Sequence, residues 1–262
     1  SKDEHSEAFA EAIQGINTVI IDEVHMAKAD VLKRLLTGPF AHCGIRWGLT
    51  GTVPKADYEF MGLKCSIGDV THRIQASELQ DKGVLANCHV NVLQTQDHPM
   101  FKTYAEELKW LTTDKVRMAW VAKTIKDIST SGNTLILVDR ISAGQILQEQ
   151  LEDSVFVSGS TKNVDRKEQY DEVSTATNKI IIATYGVASV GINIPRIFNL
   201  VLIEPGKSFV RVIQSIGRGI RKAEDKENVQ IWDITSSCKF AKRHLGARKK
   251  FYKEANYPYN IE

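Results

Sequence analysis

Two adjacent carboxylates, Asp22 and Glu23, directly follow a short β-branched run that indicates a strand over residues 17–21. Ligands of open α/β sheets bind at the carboxyl ends of the strands, which is where these acids stand. Two carboxylates there suit a nucleotide-bound Mg²⁺: one holds the ion, directly or through water, and the other orients and deprotonates an attacking water. Both are candidate metal ligands, and His25 lies two residues further on. The open alternative is a solvated strand end that carries two acids.

Two hydroxyl side chains, Thr50 and Thr52, flank a glycine directly after a second strand predicted over residues 45–49. Hydroxyls in that position can bridge neighbouring strand ends. They can also form a turn through side chain-to-backbone hydrogen bonds. These residues alone leave both interpretations open.

A third group of candidates begins at Thr184, at the end of an apolar run, and continues through Gly191, Asn193 and Pro195. The glycine permits a close backbone approach, and a polar side chain and a proline follow it. The alternative is an ordinary corner between a strand, a loop and a helix.

The fourth group is Gln214, Arg218 and Arg221. The two arginines are three residues apart, so on a helix they share a face and could grip one polyphosphate. Surface arginines are the alternative, but the flanking glycines and the apolar residues just upstream favour a cleft.

Short apolar runs that alternate with helical patterns must position these groups. Continuous apolar strands of this kind predict parallel sheets with helices on both faces, and hence an α/β fold. The predicted strands are 17–21, 45–49, 134–138, 155–157, 179–183, 200–203 and 229–232, and the predicted helices are 29–36, 102–111, 116–128, 142–151, 165–173 and 209–216. Because residues 94–99 lack apolar periodicity, we predict two domains, 1–93 and 94–262.

The composition excludes several classes of protein. Of the 262 residues, 42% are hydrophobic and 25% are charged, which is typical of globular domains and excludes disorder. The net charge of +2 excludes nucleic-acid coating by bulk charge, so such a partner must be bound by local patches. No apolar run is long enough to span a membrane. The four cysteines are widely spaced, which excludes a zinc ribbon and predicts reduced thiols in the cytoplasm.

The order of the four motifs resembles the superfamily 2 helicases and translocases: Asp-Glu-x-His, Thr-Gly-Thr, Ala-Thr…Gly-x-Asn-x-Pro, then Gln-x-x-Gly-Arg-x-x-Arg. Within that superfamily, the Asp-Glu-Val-His box and the segment 78–85 look like phage branch-migration DNA helicases of the UvsW type. They also resemble repair and restriction-type duplex translocases. The resemblance extends from Thr18 to about Asp233.

The resemblance implies two RecA-like lobes with ATP and Mg²⁺ in the cleft between them. Asp22 would hold the ion, Glu23 would activate water, and His25 would couple the nucleotide to the second lobe. The remaining roles around the nucleotide would fall to the following residues: Thr50 and Thr52 as a relay to the DNA path, Gly191, Asn193 and Gln214 in nucleotide binding, and Arg218 and Arg221 on the β- and γ-phosphates.

The resemblance also implies nucleic-acid contacts in the second lobe, at Arg140, Ser158, Gly159 and Thr184. Lys207, in Gly206-Lys207-Ser208, is a further candidate for a phosphate contact, although a turn that caps the next helix is the simpler interpretation.

Two departures from the family pattern matter. Asn193 stands where the family often has Asp, so it can bond a hydroxyl but contributes no charge. The phosphate-binding loop G-x-x-x-x-G-K-[ST] is absent, because the required first glycine before Gly206 falls at Val201. Together with a first domain of only two clear strands, this predicts a first lobe that is incomplete at its N-terminus. We expect such a chain to bind ATP weakly and to hydrolyse essentially none.

The segment from Lys239 to Lys253 is rich in lysine and arginine, contains no acid, and has aromatic residues interleaved. Lys249 and Lys250 are candidates for phosphate contacts, and an aromatic ring could stack on an unpaired base. The alternative is a C-terminal helix that packs its aromatics inward and solvates its lysines. We favour this alternative for the aromatics and leave it open for the lysines.

The sequence thus predicts a monomeric, cytoplasmic (host-cytoplasmic if viral), ATP-dependent DNA helicase or translocase that acts on forked or branched DNA in recombination or repair. Duplex DNA and RNA–DNA hybrids are further candidate substrates, and no membrane partner is expected. Two alternatives stay open: a duplex translocase subunit of a restriction or remodelling system, and a non-catalytic nucleic-acid-binding fragment.

Overall fold

The computed structural model describes residues 8–26, 29–51, 53, 57–159, 161, 176–191, 196–208 and 228–262. The chain forms two compact units, residues 1–73 and 74–262. None of the described helices is long and apolar enough to cross a bilayer. All four cysteines are free thiols.

The first unit contains a two-stranded parallel sheet of β1 (Thr18–Ile21) and β2 (Ile45–Gly48). A 3₁₀ turn (Val24–Met26) follows β1, and two helices follow in the chain, α1 (Ala29–Thr37) and α2 (Asp57–Ile67). Its core consists of Val24, Leu32, Leu36 and Leu63, with Val19, Ile21 and Ile67 packed against them. The opposite face of the sheet exposes Ile20 and Trp47, which are partners in register.

The second unit is built on a seven-stranded sheet in which every described pairing is parallel. Its strands are β3 (Asn87–Thr95), β4 (Thr134–Val138), β5 (Val155–Val157), β6 (Ile180–Thr184), β7 (Asn199–Ile203), β8 (Asn228–Ser236) and β9 (Tyr259–Ile261). The spatial order is β5-β6-β4-β7-β8-β3-β9. Successive residues of β4 alternate between two buried clusters, Leu135 and Leu137 in one and Ile136 and Val138 in the other. The sheet is therefore buried on both faces, as parallel sheets usually are.

The described helices of the second unit are α3 (Ala76–Asp81), α4 (Tyr104–Thr113), α5 (Lys115–Ser129), α6 (Ile141–Gln150), α7 (Tyr185–Gly191) and α8 (Lys239–Glu254). Local sequence explains two of the starts. Thr103 and Glu106 form a capping box at α4, and the Asp114 side chain accepts a hydrogen bond from the Arg117 N–H at α5. Gly144 lets α6 approach β5, because a Cβ there would lie 2.3 Å from the Phe156 ring.

The parallel α/β architecture is confirmed, but the predicted domain limit at residues 93 and 94 differs from the limit between the two units, after Arg73. The reason is β3, which sequence analysis did not identify as a strand. Its alternating Cys88, Val90 and Val92 are buried, and it pairs with β8 and β9 inside the second sheet. The strand β9 and the helices α2 and α3 were also not predicted, and the predicted helices 165–173 and 209–216 lie outside the described residues.

Candidate functional site

The acidic motif and the threonine motif of the first unit lie side by side, because β1 and β2 are parallel neighbours whose carboxyl ends meet. The backbone joins the two ends: the Leu49 N–H donates to the Ile21 carbonyl at 2.9 Å, and the Val24 N–H donates to the Leu49 carbonyl at 3.0 Å. His25 Nδ1 is hydrogen-bonded to Thr50 Oγ1 at 2.6 Å and lies 3.3 Å from Glu23 Oε2. One imidazole ring thus contacts both motifs.

Glu23 adopts a strained backbone conformation, with φ of +48°. A non-glycine residue in this left-handed region costs free energy and is common at functional sites. The Asp22 carboxylate accepts a hydrogen bond from the Glu23 N–H at 2.8 Å, which supports the turn. The turn leaves the Glu23 side chain 44% exposed, whereas that of His25 is only 8% exposed.

His25 carries one unsatisfied polar atom. Its Nε2 is buried and has no hydrogen-bond partner among the residues that the structure describes. A buried polar nitrogen without a partner is costly, so such an atom in a native structure calls for an explanation. Because Nδ1 is engaged by Thr50 and Glu23, Nε2 is the ring atom left to contact a further group.

The carboxylates of Asp22 and Glu23 fit a Mg²⁺ ion that is shared with a nucleotide. Mg²⁺ prefers oxygen ligands and usually combines one or two carboxylates with phosphates and water. Among the described residues there is no cluster of three or more His, Cys, Asp or Glu that could form an all-protein cage. The adjacent pair therefore fits the shared mode of binding.

The candidate nucleic-acid residues of the second unit follow four adjacent strands at one edge of the sheet. In a parallel sheet all carboxyl ends lie at the same edge, so the strand order places these residues in a row. Across the sheet the order is Ser158 and Gly159 after β5, Thr184 at the end of β6, Arg140 after β4 and Lys207 after β7. They come from segments far apart in the chain, and the fold brings them together.

Local contacts shape this edge. The Ser158 N–H donates to Thr161 Oγ1 at 3.1 Å, and the Thr184 hydroxyl accepts from the Val187 N–H at 3.5 Å, at the start of α7. Gly159 is exposed, and a Cβ there would meet nothing within 4 Å. Arg140 is the N-cap residue of α6. Ser158 itself is buried. The row therefore offers the Thr184 hydroxyl, the exposed Gly159 and two cations to a bound group.

The basic segment forms helix α8, and its cations differ in accessibility. Lys250 is exposed and Lys249 is half-buried. Arg248, which looks like part of the same basic cluster in sequence, is fully buried. Its Nε and Nη2 donate to Asp233 Oδ2 and Oδ1 at 2.8 and 2.9 Å. Arg248 is thus part of the core and not available to a phosphate. As expected for the aromatics, Tyr252 and Tyr257 are buried as well.

A second buried ion pair lies near the first. Arg117 Nη2 donates to Glu204 Oε1 at 2.7 Å, and the Thr235 hydroxyl donates to Glu204 Oε2 at 3.2 Å. Burial raises the pKa of Glu204 to about 7, against the opposing effect of Arg117 and Arg248. Sequence analysis missed both pairs. For Arg248 a signal existed, since it shares the spacing of Ala241, Leu245 and Tyr252 on the buried face of α8.

The remaining candidates have less structural description. Gly191 is the last residue of α7. The following lie outside the described residues: Thr52, Asn193, Gln214, Arg218 and Arg221.

Comparison with known proteins gives consistent matches. Residues 117–223 match the helicase conserved C-terminal domain. The ATP-dependent DNA helicase uvsW of Enterobacteria phage T4 is 26% identical over 247 residues, covering 90% of this chain and 49% of the relative.

Two solved structures show the same fold. The crystal structure of T4 UvsW has a TM-score of 0.59 at 20% identity, covering 98% of this chain and 56% of that one. A fragment of an HsdR subunit of a type I restriction enzyme from Vibrio vulnificus YJ016 has a TM-score of 0.72 at 19% identity, covering 99% of this chain and 50% of that one. The chain thus spans about half the length of the proteins to which it is compared.

Proposed function

Because this chain carries a helicase conserved C-terminal domain and resembles the superfamily 2 helicases of the UvsW type, we propose that it is the motor portion of an ATP-driven DNA helicase or translocase. The expected substrate is forked or branched DNA, in recombination or repair. Binding of ATP would draw two lobes together on a strand, and hydrolysis with product release would separate them.

The contact between His25 and Thr50 is the observation that carries the proposal. Glu23 would orient and deprotonate the attacking water, and His25 Nδ1 lies 3.3 Å from its carboxylate. A change of charge at Glu23 therefore acts directly on the ring that holds Thr50. This path links the hydrolytic group to the motif expected to relay the nucleotide state.

The other site residues have proposed roles that follow from the resemblance. Asp22 and Glu23 would hold Mg²⁺, which neutralises phosphate charge when bound. On the nucleotide, Gly191, Asn193 and Gln214 would contact the ribose side, and Arg218 and Arg221 would bind the β- and γ-phosphates. Thr52 would act with Thr50. On the nucleic acid, the contacts would be made by Arg140, Ser158, Gly159, Thr184 and Lys207 in the second unit, with Lys249 and Lys250.

We further propose that residues 1–262 by themselves hydrolyse essentially no ATP. In such motors the backbone N–H groups of G-x-x-x-x-G-K-[ST] cradle the α- and β-phosphates, and its lysine reaches the β- and γ-phosphates. That sequence does not occur in these 262 residues.

DNA-stimulated ATP hydrolysis tests the motor proposal. For protein purified from its native source, Glu23→Gln should lower turnover by about 10²–10⁴-fold, the usual contribution of a general base. Glu11→Gln, at an exposed position of the same unit, should leave turnover unchanged. Wild-type protein without DNA-stimulated turnover would refute the motor.

A preparation whose intact mass is 29.3 kDa tests the second proposal. It should show no turnover above a control without protein. Turnover that Glu23→Gln abolishes in that preparation would show that the absent loop is not required.

Two alternatives have distinct signatures. The similarity to the HsdR fragment favours a duplex translocase, which would displace a triplex-forming strand without separating the duplex. A helicase would instead release one strand of a fork. A non-catalytic binding fragment would bind forks with the same affinity in the presence and absence of ATP.

A further inference from the structure

We propose that the outer face of α8 binds the phosphate backbone of double-stranded nucleic acid. This proposal rests on the proposed function and adds a contact surface outside the row at the sheet edge. The surface, here called the basic stripe, consists of Lys239, Lys242, Arg243, Lys249, Lys250 and Lys253. Lys249 is half-buried, and the other five are exposed.

The stripe runs along the axis of α8 and covers about a third of its circumference. At about 100° per residue, its six cations fall within about 60° on either side of Gly246. Lys242, Lys249 and Lys253 lie on one side of that line, and the other three lie on the opposite side. From Lys239 to Lys253 the helix rises about 21 Å, which equals the axial rise of about six base pairs of a duplex.

The helix is held firmly behind this face. Tyr252 and Arg248 are fully buried, and both bond to the Asp233 carboxylate. At the N-terminus of α8, the Glu107 carboxylate accepts hydrogen bonds from the N–H groups of Phe240 and Ala241. The stripe is therefore displayed by a fixed helix, so little ordering is needed when it binds.

The charge arrangement opposes helix stability. Like charges three or four residues apart are destabilising, and the stripe contains four such pairs: 239 with 242, 239 with 243, 249 with 253, and 250 with 253. Among the described residues, no carboxylate forms a salt bridge with any of the six cations. A polyanion laid along the helix would remove this repulsion.

Gly246 provides an independent observation. Glycine inside a helix is unfavourable, and here a Cβ would meet nothing within 4 Å, so packing does not require it. Its absent side chain leaves bare helix backbone at the centre of the stripe, between the two rows of cations. A phosphodiester backbone can approach the helix closely there.

The stripe presents no fully exposed aromatic ring, which favours a duplex. Proteins that bind single strands combine cations with aromatic rings on which bases stack. Among the aromatic residues of α8, Tyr252 is buried and Phe240 and Phe251 are half-buried. The Phe240 ring is covered by two cations of the stripe, since Lys239 Nζ and Arg243 Cζ lie 5.4 and 5.6 Å from its centroid. The stripe also has no exposed apolar side chain with which to enter a membrane surface.

The N-terminal end of the stripe lies at the edge of the sheet that carries the row of candidate nucleic-acid residues, and α8 then runs back toward the opposite edge, where β9 begins. Helix α8 begins just after the carboxyl end of β8, at the same edge of the sheet. Lys207, Arg243 and Arg248 lie close enough to His244 to add to the effect of burial, which lowers the pKa of His244 to about 4. The turn that carries Lys207 is joined to α8 by a 2.7 Å hydrogen bond from Arg248 Nη1 to the Gly206 carbonyl.

The test is binding of a blunt 20-base-pair DNA duplex by fluorescence anisotropy between 0.05 and 0.3 M salt. A duplex RNA, a single DNA strand of equal length and a polyglutamate competitor serve as parallel probes. Lys249→Glu with Lys250→Glu should lower the slope of log K against log salt by about 2. At 0.1 M salt it should weaken duplex binding by about 60-fold or more.

Gly246→Glu separates binding from folding. It places a carboxylate within one turn of Lys242, Arg243, Lys249 and Lys250, so it should raise the melting temperature by about 2–4 °C. It should also weaken duplex binding by about tenfold. Gly246→Gln is the neutral control of similar size, and Lys123→Glu reverses an exposed charge on α5. Lys123→Glu should bind the duplex within about twofold of wild type. Gly246→Gln, which covers the bare backbone without adding a charge, should weaken duplex binding by less than Gly246→Glu does.

The proposal is supported if wild type binds a duplex more tightly than a single strand and Gly246→Glu loses that duplex binding. The duplex, DNA or RNA, that binds more tightly is then the assigned partner. Wild-type affinity in both stripe variants overturns the stripe, together with the proposed contacts at Lys249 and Lys250, and leaves the proposed motor standing. The duplex assignment is overturned if the stripe variants lose as much affinity for the single strand as for the duplex. It is also overturned if polyglutamate at equal charge displaces the duplex. No binding of any nucleic acid by wild type at low salt overturns both proposals.

Discussion

Replacing Arg248 by methionine should destabilise the second unit severely. The guanidinium makes three hydrogen bonds, two to the Asp233 carboxylate at 2.8 and 2.9 Å and one to the Gly206 carbonyl at 2.7 Å. Methionine keeps the length of the side chain and removes all three. Among the described residues, the carboxylate of Asp233, which is 0% exposed, would then keep only the bond from the Tyr252 hydroxyl.

The expected loss is about 3–5 kcal/mol, because breaking a buried ion pair leaves an uncompensated charge in the core. That is a fifth or more of the stability of a typical domain, which is about 5–15 kcal/mol. Lys249→Met, at the next residue of the same helix, should change stability by less than about 0.5 kcal/mol, because the Lys249 ammonium forms no ion pair with any described carboxylate.

The loss in the free energy of unfolding is measured by urea unfolding, with hydrogen exchange of the β8 amide groups as the probe. The double variant Arg248→Met with Asp233→Asn should be about 2–3 kcal/mol more stable than the sum of the two single losses predicts, because it removes both charges. A loss below about 1 kcal/mol in Arg248→Met, or an equal loss in Lys249→Met, would refute the assignment of Arg248 to the core.

Two further predictions concern the second unit. Gly144→Ala should lower the free energy of unfolding by about 1–3 kcal/mol, because the new Cβ would lie 2.3–2.9 Å from three Phe156 ring atoms. Gly159→Ala is the control in the same thermal melt, because a Cβ there meets nothing within 4 Å. Equal melting temperatures of the two variants would contradict the contact. Burial raises the pKa of Glu204 from 4.5 to about 7, so the folded state holds this proton more tightly than the unfolded chain. Its contribution is present below pH 4.5 and is lost as the pH rises through about 7. Relative to Glu204→Gln, the wild-type free energy of unfolding should fall by about 1–3 kcal/mol over that range in urea titrations, and a parallel pH dependence of the two proteins would contradict it.

Apolar periodicity and apolar runs predict most of the described helices and strands of the second unit from the sequence alone. The strands 134–138 and 155–157 were predicted with the limits that the structure has, because uniformly apolar runs need no knowledge of their neighbours. The strand β3 was missed although its apolar Cys88, Val90 and Val92 alternate with polar His89 and Asn91, a period of two that itself indicates a strand. Pairing with β8 and β9 places that segment inside the second sheet, and its omission moved the predicted domain limit by about twenty residues.

The sequence by itself determined the chemistry of the candidate site: two carboxylates and a histidine after one strand, and a threonine after the next. Residue types and their distance from a strand end are local properties, so they can be read without a fold. Only the tertiary structure decided that His25 contacts Thr50, and that Arg248 is buried while Lys250 on the same helix is exposed. The physical reason is that burial and charge pairing depend on which distant segments meet, and the linear order of residues does not contain that information.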